Sequence, residues 1–202
     1  DGRRFRFYGS GDATFGFESE SVPAEALASA SWVHLGGVAL THPDGRAAMR
    51  ELAAAAAERD CTVSFDVNYR EDLVPDGERD AVVDAVREIV AVSDVVFASD
   101  EDVAATGISS REGEALARDL LDLGPHTAVV TLGEAGAVVA SSAAAPWGER
   151  TARHGGFAVD AVDATGAGDA FTAGLIARLS AGDADLDAAV AFANATAALS
   201  VR

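Results

Sequence analysis

A glycine-rich turn followed at once by a carboxylate is the part of this sequence best suited to chemistry. It reads Gly166-Ala167-Gly168-Asp169, with apolar residues before it and good helix formers from Ala170 to Leu179 behind it. This order predicts a strand, a turn and a helix. The glycines lack a Cβ, so the backbone can take positive φ and approach a ligand closely. The N–H groups of residues 166 to 169 should lie unpaired at the helix start, where the helix dipole favours an anion such as phosphate.

Asp169 places a negative charge beside this predicted anion site. A carboxylate there could take a proton from a hydroxyl while the neighbouring N–H groups stabilise a phosphoryl group in transfer. An acidic residue in the first turn of a helix is also common for purely structural reasons. Spacing alone leaves both interpretations of Asp169 open.

Further polar residues follow other apolar stretches. Asn68 and Arg70 come after a predicted strand, 62–67, and open α/β sheets bind ligands beyond the carboxyl ends of their strands. Ser99 and Asp102 have the spacing of a helix capping box, with Asp in place of Glu. The turn Thr131-x-Gly133-x-x-Gly136 is by itself only a tight connection between strands, and Asn194 only a polar residue on a helix.

The glycine-rich stretch resembles a family signature. Asp163-x-Thr165-Gly166-Ala167-Gly168-Asp169-Ala170-Phe171, followed by Ala173-Gly174, is similar to the C-terminal motif of the ribokinase-like (PfkB) carbohydrate kinases. The resemblance implies that Asp169 is the catalytic base and that the amides of Gly166, Ala167 and Gly168 hold the anion. Asp-x-Asn-Tyr-Arg, ending at Arg70, resembles the fructokinase and 2-keto-3-deoxygluconate kinase branch.

The same resemblance implies roles for the other polar residues. Asn68 and Arg70 would contact the substrate, and Asp102 would bind magnesium through water. A monovalent cation such as potassium would lie near Asp163 and Thr165. The ATP-binding residues implied in this way are Thr131, Gly133, Gly136, Ser99 and Asn194.

Composition narrows the possible partners. The chain of 202 residues has 33 acidic and 15 basic residues, a formal net charge of −18, and every basic residue is Arg. Such a charge argues against nucleic acid and anionic membranes, and the absence of Lys excludes a Walker-A loop and a Schiff base. An acidic, Lys-free surface suggests a protein of a salt-loving organism. With one Cys and no long apolar run, we expect a soluble, cytoplasmic protein without disulfides.

The order of predicted elements indicates one α/β kinase domain over residues 1–202, three α/β/α layers around a largely parallel sheet. Among the connections, Ser109-x-x-Glu112 predicts a capping box that opens a helix to Leu123, and His154 to Val159 predicts a strand before the glycine-rich turn. Other helices are predicted at 23–30, 47–58, 79–92 and 187–201, and other strands at 32–35, 94–98, 127–132 and 137–140.

Both ends of the family pattern are missing from this sequence. The family's N-terminal sugar-binding signature and its last loop have no counterpart, so the chain looks like a fragment. Residues 1–20 resemble the edge of the family's β lid, which often pairs subunits, so a homodimer through the lid is possible. Gly9 stands where sugar-acid and fructose kinases often have Arg, which favours a neutral sugar.

ATP-dependent phosphorylation of a fructose-like or keto-sugar hydroxyl, with magnesium, is therefore the expected function. A nucleoside kinase of the same family is one alternative, and a non-catalytic sugar or nucleotide sensor on the same fold is another. A dehydrogenase is disfavoured, because Phe171 occupies the place of the third glycine in a dinucleotide-binding turn.

Overall fold

The structure is a computed structural model that describes residues 18–182 and 185–202. A six-stranded sheet in the order β1-β2-β3-β4-β5-β6 forms its centre. The first four strands are parallel, β5 pairs antiparallel with β4, and β6 pairs antiparallel with β5. The strands are β1 Trp32–Gly36, β2 Thr62–Asp66, β3 Val95–Ser99, β4 Thr127–Thr131, β5 Ala137–Ser141 and β6 Arg150–His154.

Helices cover both faces of this sheet. They are α1 Ala24–Ser29, α2 Pro43–Ala57, α3 Arg79–Val92, α4 Asp100–Thr106, α5 Gly113–Leu121, α6 Ala167–Ser180 and α7 Leu186–Ser200. Successive residues of β3 show the division, since Val96 packs into the core on the side of α2 to α5 and Val95 and Phe97 into the core with α6 and α7. Strands buried on both faces read as continuous apolar runs. The predicted three-layer arrangement with a largely parallel sheet is confirmed.

Most predicted elements appear within a few residues of their expected positions. The helix at 79–92 matches α3 residue for residue, whereas α2 begins at Pro43 rather than Ala47. Proline is well accommodated at the first helical position, where its missing N–H would have had no partner. The predicted capping box at Ser99 is confirmed, because its hydroxyl accepts the N–H of Asp102 at 3.1 Å.

The second predicted capping box is wrong. Helix α5 begins at Gly113, and its N-cap, Glu112, makes no side-chain capping bond. The hydroxyl of Ser109 instead donates to Asp119 Oδ2 at 2.6 Å and accepts the N–H of Arg111 at 3.0 Å. Ser109 thus fixes the loop before α5 rather than the start of the helix.

The strand predicted at His154–Val159 is also wrong. The sixth strand lies earlier, at Arg150–His154, and pairs antiparallel with β5. Within it only Ala152 is buried, so the strand carries little apolar signal. The apolar residues that suggested a strand, Phe157 and Val159, are 49% and 37% exposed in the connection to α6.

The expected lid edge falls almost wholly outside the described residues. Arg3 to Tyr8, Gly9 and the rest of 1–17 are not described, and residues 18–20 contain no strand but the start of a 3-10 turn, Ser19–Ser21. No helix of the described residues is long and apolar enough to cross a membrane.

Candidate active site

A cavity of about 500 Å³ lies at the carboxyl ends of the parallel strands. The last residues of three of these strands line it, Asp66 of β2, Ser99 of β3 and Thr131 of β4, together with the start of α6. Of the residues predicted from sequence, the cavity brings together Asn68, Arg70, Ser99, Asp102, Thr131, Thr165, Gly166, Gly168 and Asp169. Its position agrees with the rule that open α/β sheets bind ligands beyond the carboxyl ends of their strands.

The start of α6 offers free hydrogen-bond donors to this cavity. Gly166, the N-cap, takes φ 80°, a left-handed conformation that favours glycine. The first helical bond runs from the Ala170 N–H to the Gly166 carbonyl at 2.9 Å. Among the described residues, the N–H groups of Gly166, Gly168 and Asp169 have no hydrogen-bond partner. Three donors at a helix N-terminus form a site for an anion.

Two details of this turn differ from the sequence prediction. The N–H of Ala167 is not free, because it donates to the Ala164 carbonyl at 3.2 Å, and Ala167 does not line the cavity. The second difference is that Gly168 does not adopt the positive φ that its lack of a Cβ would allow. A Cβ added at Gly168 would meet no described atom within 4 Å, so this glycine leaves open space at the site rather than a special backbone conformation.

Asp66 is a site residue whose role the sequence did not reveal. It ends β2, is partly buried and lines the cavity. Burial, with the nearby charges of Asp102 and Asp169, raises its pKa to about 7, although the N–H of Asn68 and the Arg70 guanidinium oppose this. The signal in the sequence that could have identified it is a carboxylate at the last position of a predicted strand, two residues before Asn68.

Asp102 and Arg70 form an ion pair that lines the same cavity, with Asp102 Oδ1 3.1 Å from Arg70 Nη1. Burial raises the pKa of Asp102, and hydrogen bonds from Ser99 together with the charge of Arg70 oppose the shift. The Asp102 side chain is 11% exposed and that of Arg70 is 46% exposed. Since the guanidinium has five N–H donors in all, Arg70 can contact a ligand as well.

Asn68 lies in the cavity in a conformation that non-glycine residues seldom adopt. Its φ is 31°, and its N–H donates to Asp66 Oδ1 at 3.2 Å. The side-chain Oδ1 is buried and has no hydrogen-bond partner among the described residues. Such strain and such an unpaired acceptor each cost free energy, and they persist most often at functional sites.

Several residues expected at the nucleotide do not line this cavity. Gly133 and Gly136 are absent from its walls, and a Cβ at Gly136 would lie 1.9 Å from the His154 carbonyl oxygen. Asn194 is buried in α7, where its Nδ2 donates to the Val190 carbonyl at 3.0 Å. In this conformation Gly136 and Asn194 therefore have structural roles.

The proposed monovalent-cation residues form a local turn instead of a preformed ligand cluster. Asp163 Oδ1 accepts the N–H of Thr165 at 2.9 Å, and only Thr165 of the two lines the cavity. Across the described part of the chain, no group of three or more His, Cys, Asp or Glu is arranged to hold a metal ion.

Comparison with known proteins agrees with the geometry. The family described as pfkB family carbohydrate kinase matches residues 1–202. The 2-dehydro-3-deoxygalactonokinase of Haloferax volcanii is 37% identical over 158 residues, which cover 74% of this chain and 44% of that protein. The ATP-dependent ribose-1-phosphate kinase of Halopiger xanaduensis is 37% identical over 180 residues, 89% of this chain and 51% of that protein.

Solved structures similar to this one include a fructokinase. A double mutant of the fructokinase from Vibrio cholerae O395, solved with fructose, ADP and potassium ion bound, has a TM-score of 0.78 and 30% sequence identity. The match covers 92% of this chain and 58% of that one. The chain thus spans about half the length of the curated relatives it matches.

Proposed function

The chain belongs to the pfkB family of carbohydrate kinases, and from this premise we propose that the protein transfers the γ-phosphoryl group of ATP to a sugar hydroxyl. One observation carries the proposal. The carboxylate of Asp169 and the unpaired N–H groups of Gly166, Gly168 and Asp169 occur together at one cavity at the end of the sheet. A base beside an anion site is what phosphoryl transfer to a hydroxyl needs.

In this mechanism Asp169 accepts the proton of the attacking hydroxyl. The unpaired N–H groups at the start of α6 donate hydrogen bonds to the oxygens of the phosphoryl group, whose charge they stabilise during transfer. Arg70 also lines the cavity and contributes a positive charge near the phosphate or the sugar. Asn68 supplies an unpaired amide oxygen that can accept a hydrogen bond from a substrate hydroxyl.

The residues present fit a magnesium ion. Glu101 and Asp102 both line the cavity, and carboxylate oxygens are ligands that Mg²⁺ prefers, directly or through water. When bound, the ion neutralises negative charge on the phosphates. For the nucleotide, we infer contacts from Ser99 and Thr131, which line the cavity. Gly133, Gly136 and Asn194 do not line it, and their contacts with the nucleotide are proposed from the family resemblance alone. A monovalent cation near Asp163 and Thr165 remains part of the proposal.

The substrate we favour is a neutral, fructose-like or keto sugar. Relatives of this chain are named for fructose, for ribose 1-phosphate and for 2-dehydro-3-deoxygalactonate phosphorylation, so the family match alone leaves the sugar open. Gly9, in place of an Arg, removes one partner for a sugar-acid carboxylate. If the protein nevertheless takes the acid, Arg70 is the cation in the described cavity that would bind it.

ADP release by the full-length protein, with ATP and magnesium present, tests the proposal. Fructose, 2-keto-3-deoxygluconate, ribose 1-phosphate and a nucleoside such as adenosine are supplied in turn, and the phosphorylated product is identified by mass spectrometry. We expect turnover with a sugar and a higher kcat/KM for fructose than for the acid. Preference for the acid would reverse the substrate assignment, and preference for adenosine would indicate a nucleoside kinase. Saturable sugar binding without any ADP release would indicate a sensor.

A further inference from the structure

The segment from Asp66 to Arg70 carries polar side chains from the end of β2 to the candidate active site. Asp66 is the last residue of β2, and Asp66, Asn68 and Arg70 all line the cavity. The two residues between them, Val67 and Tyr69, are buried in the core on the side of α2 to α5. Cavity and core residues thus alternate along the segment, and the position of Arg70 depends on the path of the backbone that precedes it.

The middle of this segment has a backbone conformation that needs support. The φ of Asn68, 31°, lies in the left-handed region, which is unfavourable for residues other than glycine and least so for Asn and Asp. Sheet pairing holds the N–H group one residue earlier, because Val67 donates to the Phe97 carbonyl of β3 at 2.9 Å. The N–H of Asn68 itself is held by a side chain, since it donates to Asp66 Oδ1 at 3.2 Å.

The carboxyl group of Asp66 therefore closes a turn over the next two residues. Asp and Asn side chains stabilise turns in this way, by accepting the backbone N–H two residues further along the chain. A carboxyl group has an oxygen that can accept this bond whether or not it is protonated. The contribution of Asp66 to the turn thus depends on an acceptor oxygen at this position and not on a negative charge.

Arg70 follows this turn and is the residue whose position it affects. The guanidinium bonds Asp102, with Nη1 3.1 Å from Oδ1, while 46% of the Arg70 side chain stays exposed and accessible to a ligand. A long side chain loses rotamer freedom when it is held in one place, so a single ion pair fixes it only weakly. A defined backbone at the base of the side chain reduces the number of positions that the guanidinium can occupy.

We propose that Asp66 is a positioning residue for substrate binding, whose side-chain oxygen holds the turn at Asn68 and thereby directs Arg70 into the cavity. The inference rests on the proposed kinase function, in which Arg70 supplies a positive charge near the phosphate or the sugar. Asp66 acts through Arg70 in this role, whereas Asp169 is the base. The charges of Asp66 and Arg70 also interact directly, so the experiment separates the acceptor oxygen from the charge.

Native-state hydrogen exchange of the full-length protein, followed by NMR without substrate, tests the turn. Asp66→Ala removes the acceptor, whereas Asp66→Asn removes the charge and keeps an acceptor oxygen. The Asn68 N–H should exchange about 2- to 10-fold faster in Asp66→Ala, the worth of one hydrogen bond, and at the wild-type rate in Asp66→Asn. The neighbouring N–H of Val67, which the Phe97 carbonyl holds, should be unchanged and is the control for the fold. Asp66→Leu resembles Asn in shape without an acceptor, and it provides the test if Asp66→Ala fails to fold.

Steady-state kinetics of the same variants test the link to Arg70. Arg70→Ala identifies the substrate that Arg70 contacts, as the one whose KM rises. Asp66→Ala should raise the same KM about 2- to 10-fold with kcat nearly unchanged, and Asp66→Asn should restore it. In the Arg70→Ala background, Asp66→Ala should have little further effect, because a residue that acts through another is not additive with it.

The proposal is overturned if the Asn68 N–H exchanges at the wild-type rate in Asp66→Ala. It is also overturned if Asp66→Asn is as impaired as Asp66→Ala, since the charge would then be what matters, or if the effects of Asp66→Ala and Arg70→Ala on KM add. Absence of turnover with every sugar would instead refute the proposed function, and the exchange measurement, which needs no substrate, would still decide whether Asp66 holds the turn.

Discussion

Arg70 and Asp102 face each other at the candidate active site, with Nη1 and Oδ1 3.1 Å apart. Asp102 belongs to the first turn of α4, and Arg70 follows β2, so two residues that are 32 positions apart in sequence link the segments after β2 and β3. The pair joins the segment after β2, which carries Asn68, to the capped helix after β3. Four of the residues predicted from sequence lie on these two connected segments and line the cavity, namely Asn68, Arg70, Ser99 and Asp102.

Asp169→Asn should abolish most of kcat while leaving ATP affinity within a few-fold. Asparagine keeps the size of the side chain and much of its hydrogen bonding but cannot accept the hydroxyl proton, and loss of a general base costs about 10²–10⁴ in rate. Steady-state kinetics and calorimetric ATP titration of the full-length protein measure the two effects. Near-normal turnover would mean that Asp169 is not the base.

Gly168→Ala is the matched variant for the anion site. Its Cβ meets no described atom within 4 Å, and Gly168 does not take positive φ, so the folded protein should tolerate the methyl group. The methyl group would nonetheless lie where a phosphate approaches the free N–H groups. We therefore expect weaker ATP binding with an almost unchanged melting temperature, the reverse of Asp169→Asn. Unchanged ATP affinity would argue against phosphate binding at this turn.

Asp66→Asn should change the pH dependence of stability. In the folded protein the pKa of Asp66 is about 7, above the usual aspartate value of 3.8, so the folded state favours the protonated form. The resulting stabilisation is complete below the unfolded pKa and is lost as pH rises to about 7 and beyond. Asp66→Asn should therefore flatten the decline in the free energy of unfolding between about pH 4 and 7, and raise stability at pH 8. Denaturant melts across this range measure it.

The control for that experiment is Asp76→Asn, which removes an equal charge at an exposed loop position. It accounts for the general effect of lowering the net negative charge. If both variants change the pH profile alike, the titration of Asp66 is not what shapes it.

Gly136→Ala and Gly133→Ala should differ sharply in stability. A Cβ at Gly136 would overlap the His154 carbonyl oxygen, and φ there is 85°, so we expect a loss of about 2–5 kcal/mol. At Gly133 a Cβ meets no described atom within 4 Å, and only the positive φ of 57° opposes it, at about 1–2 kcal/mol. Thermal melts compare them. Equal losses would contradict the structural role assigned to Gly136.

Salt should stabilise this protein strongly. At 1 M salt the Debye length is about 3 Å, so repulsion within a chain of net charge −18 is screened. The melting temperature should rise steeply between low and molar KCl. Sucrose at equal osmolality is the control, because it is excluded from the protein surface without screening charge. A flat response to KCl, or an equal response to sucrose, would remove the case for adaptation to salt.

The sequence by itself determined the features that depend on neighbours along the chain. The amphipathic helix Arg79–Val92, the Ser99 cap and the turn at Gly166 all follow from periodicity or from a side chain bonding its own backbone a few residues away. The apolar strands predicted a sheet that helices cover on both faces, because an apolar strand must be buried on both of its sides. The resemblance of the glycine-rich stretch supplied the family.

Only the tertiary structure decided the rest, because burial and strand pairing depend on residues far apart in sequence. Strand β6 contains mostly exposed polar residues, and its backbone is held in a strand by antiparallel pairing with β5. Asp66 is an ordinary aspartate in the sequence, and its raised pKa comes from burial beside Asp102 and Asp169. Gly136 must be glycine because the backbone of His154 passes within contact of it. None of these relations leaves a local pattern, so they became visible only once the sheet was assembled.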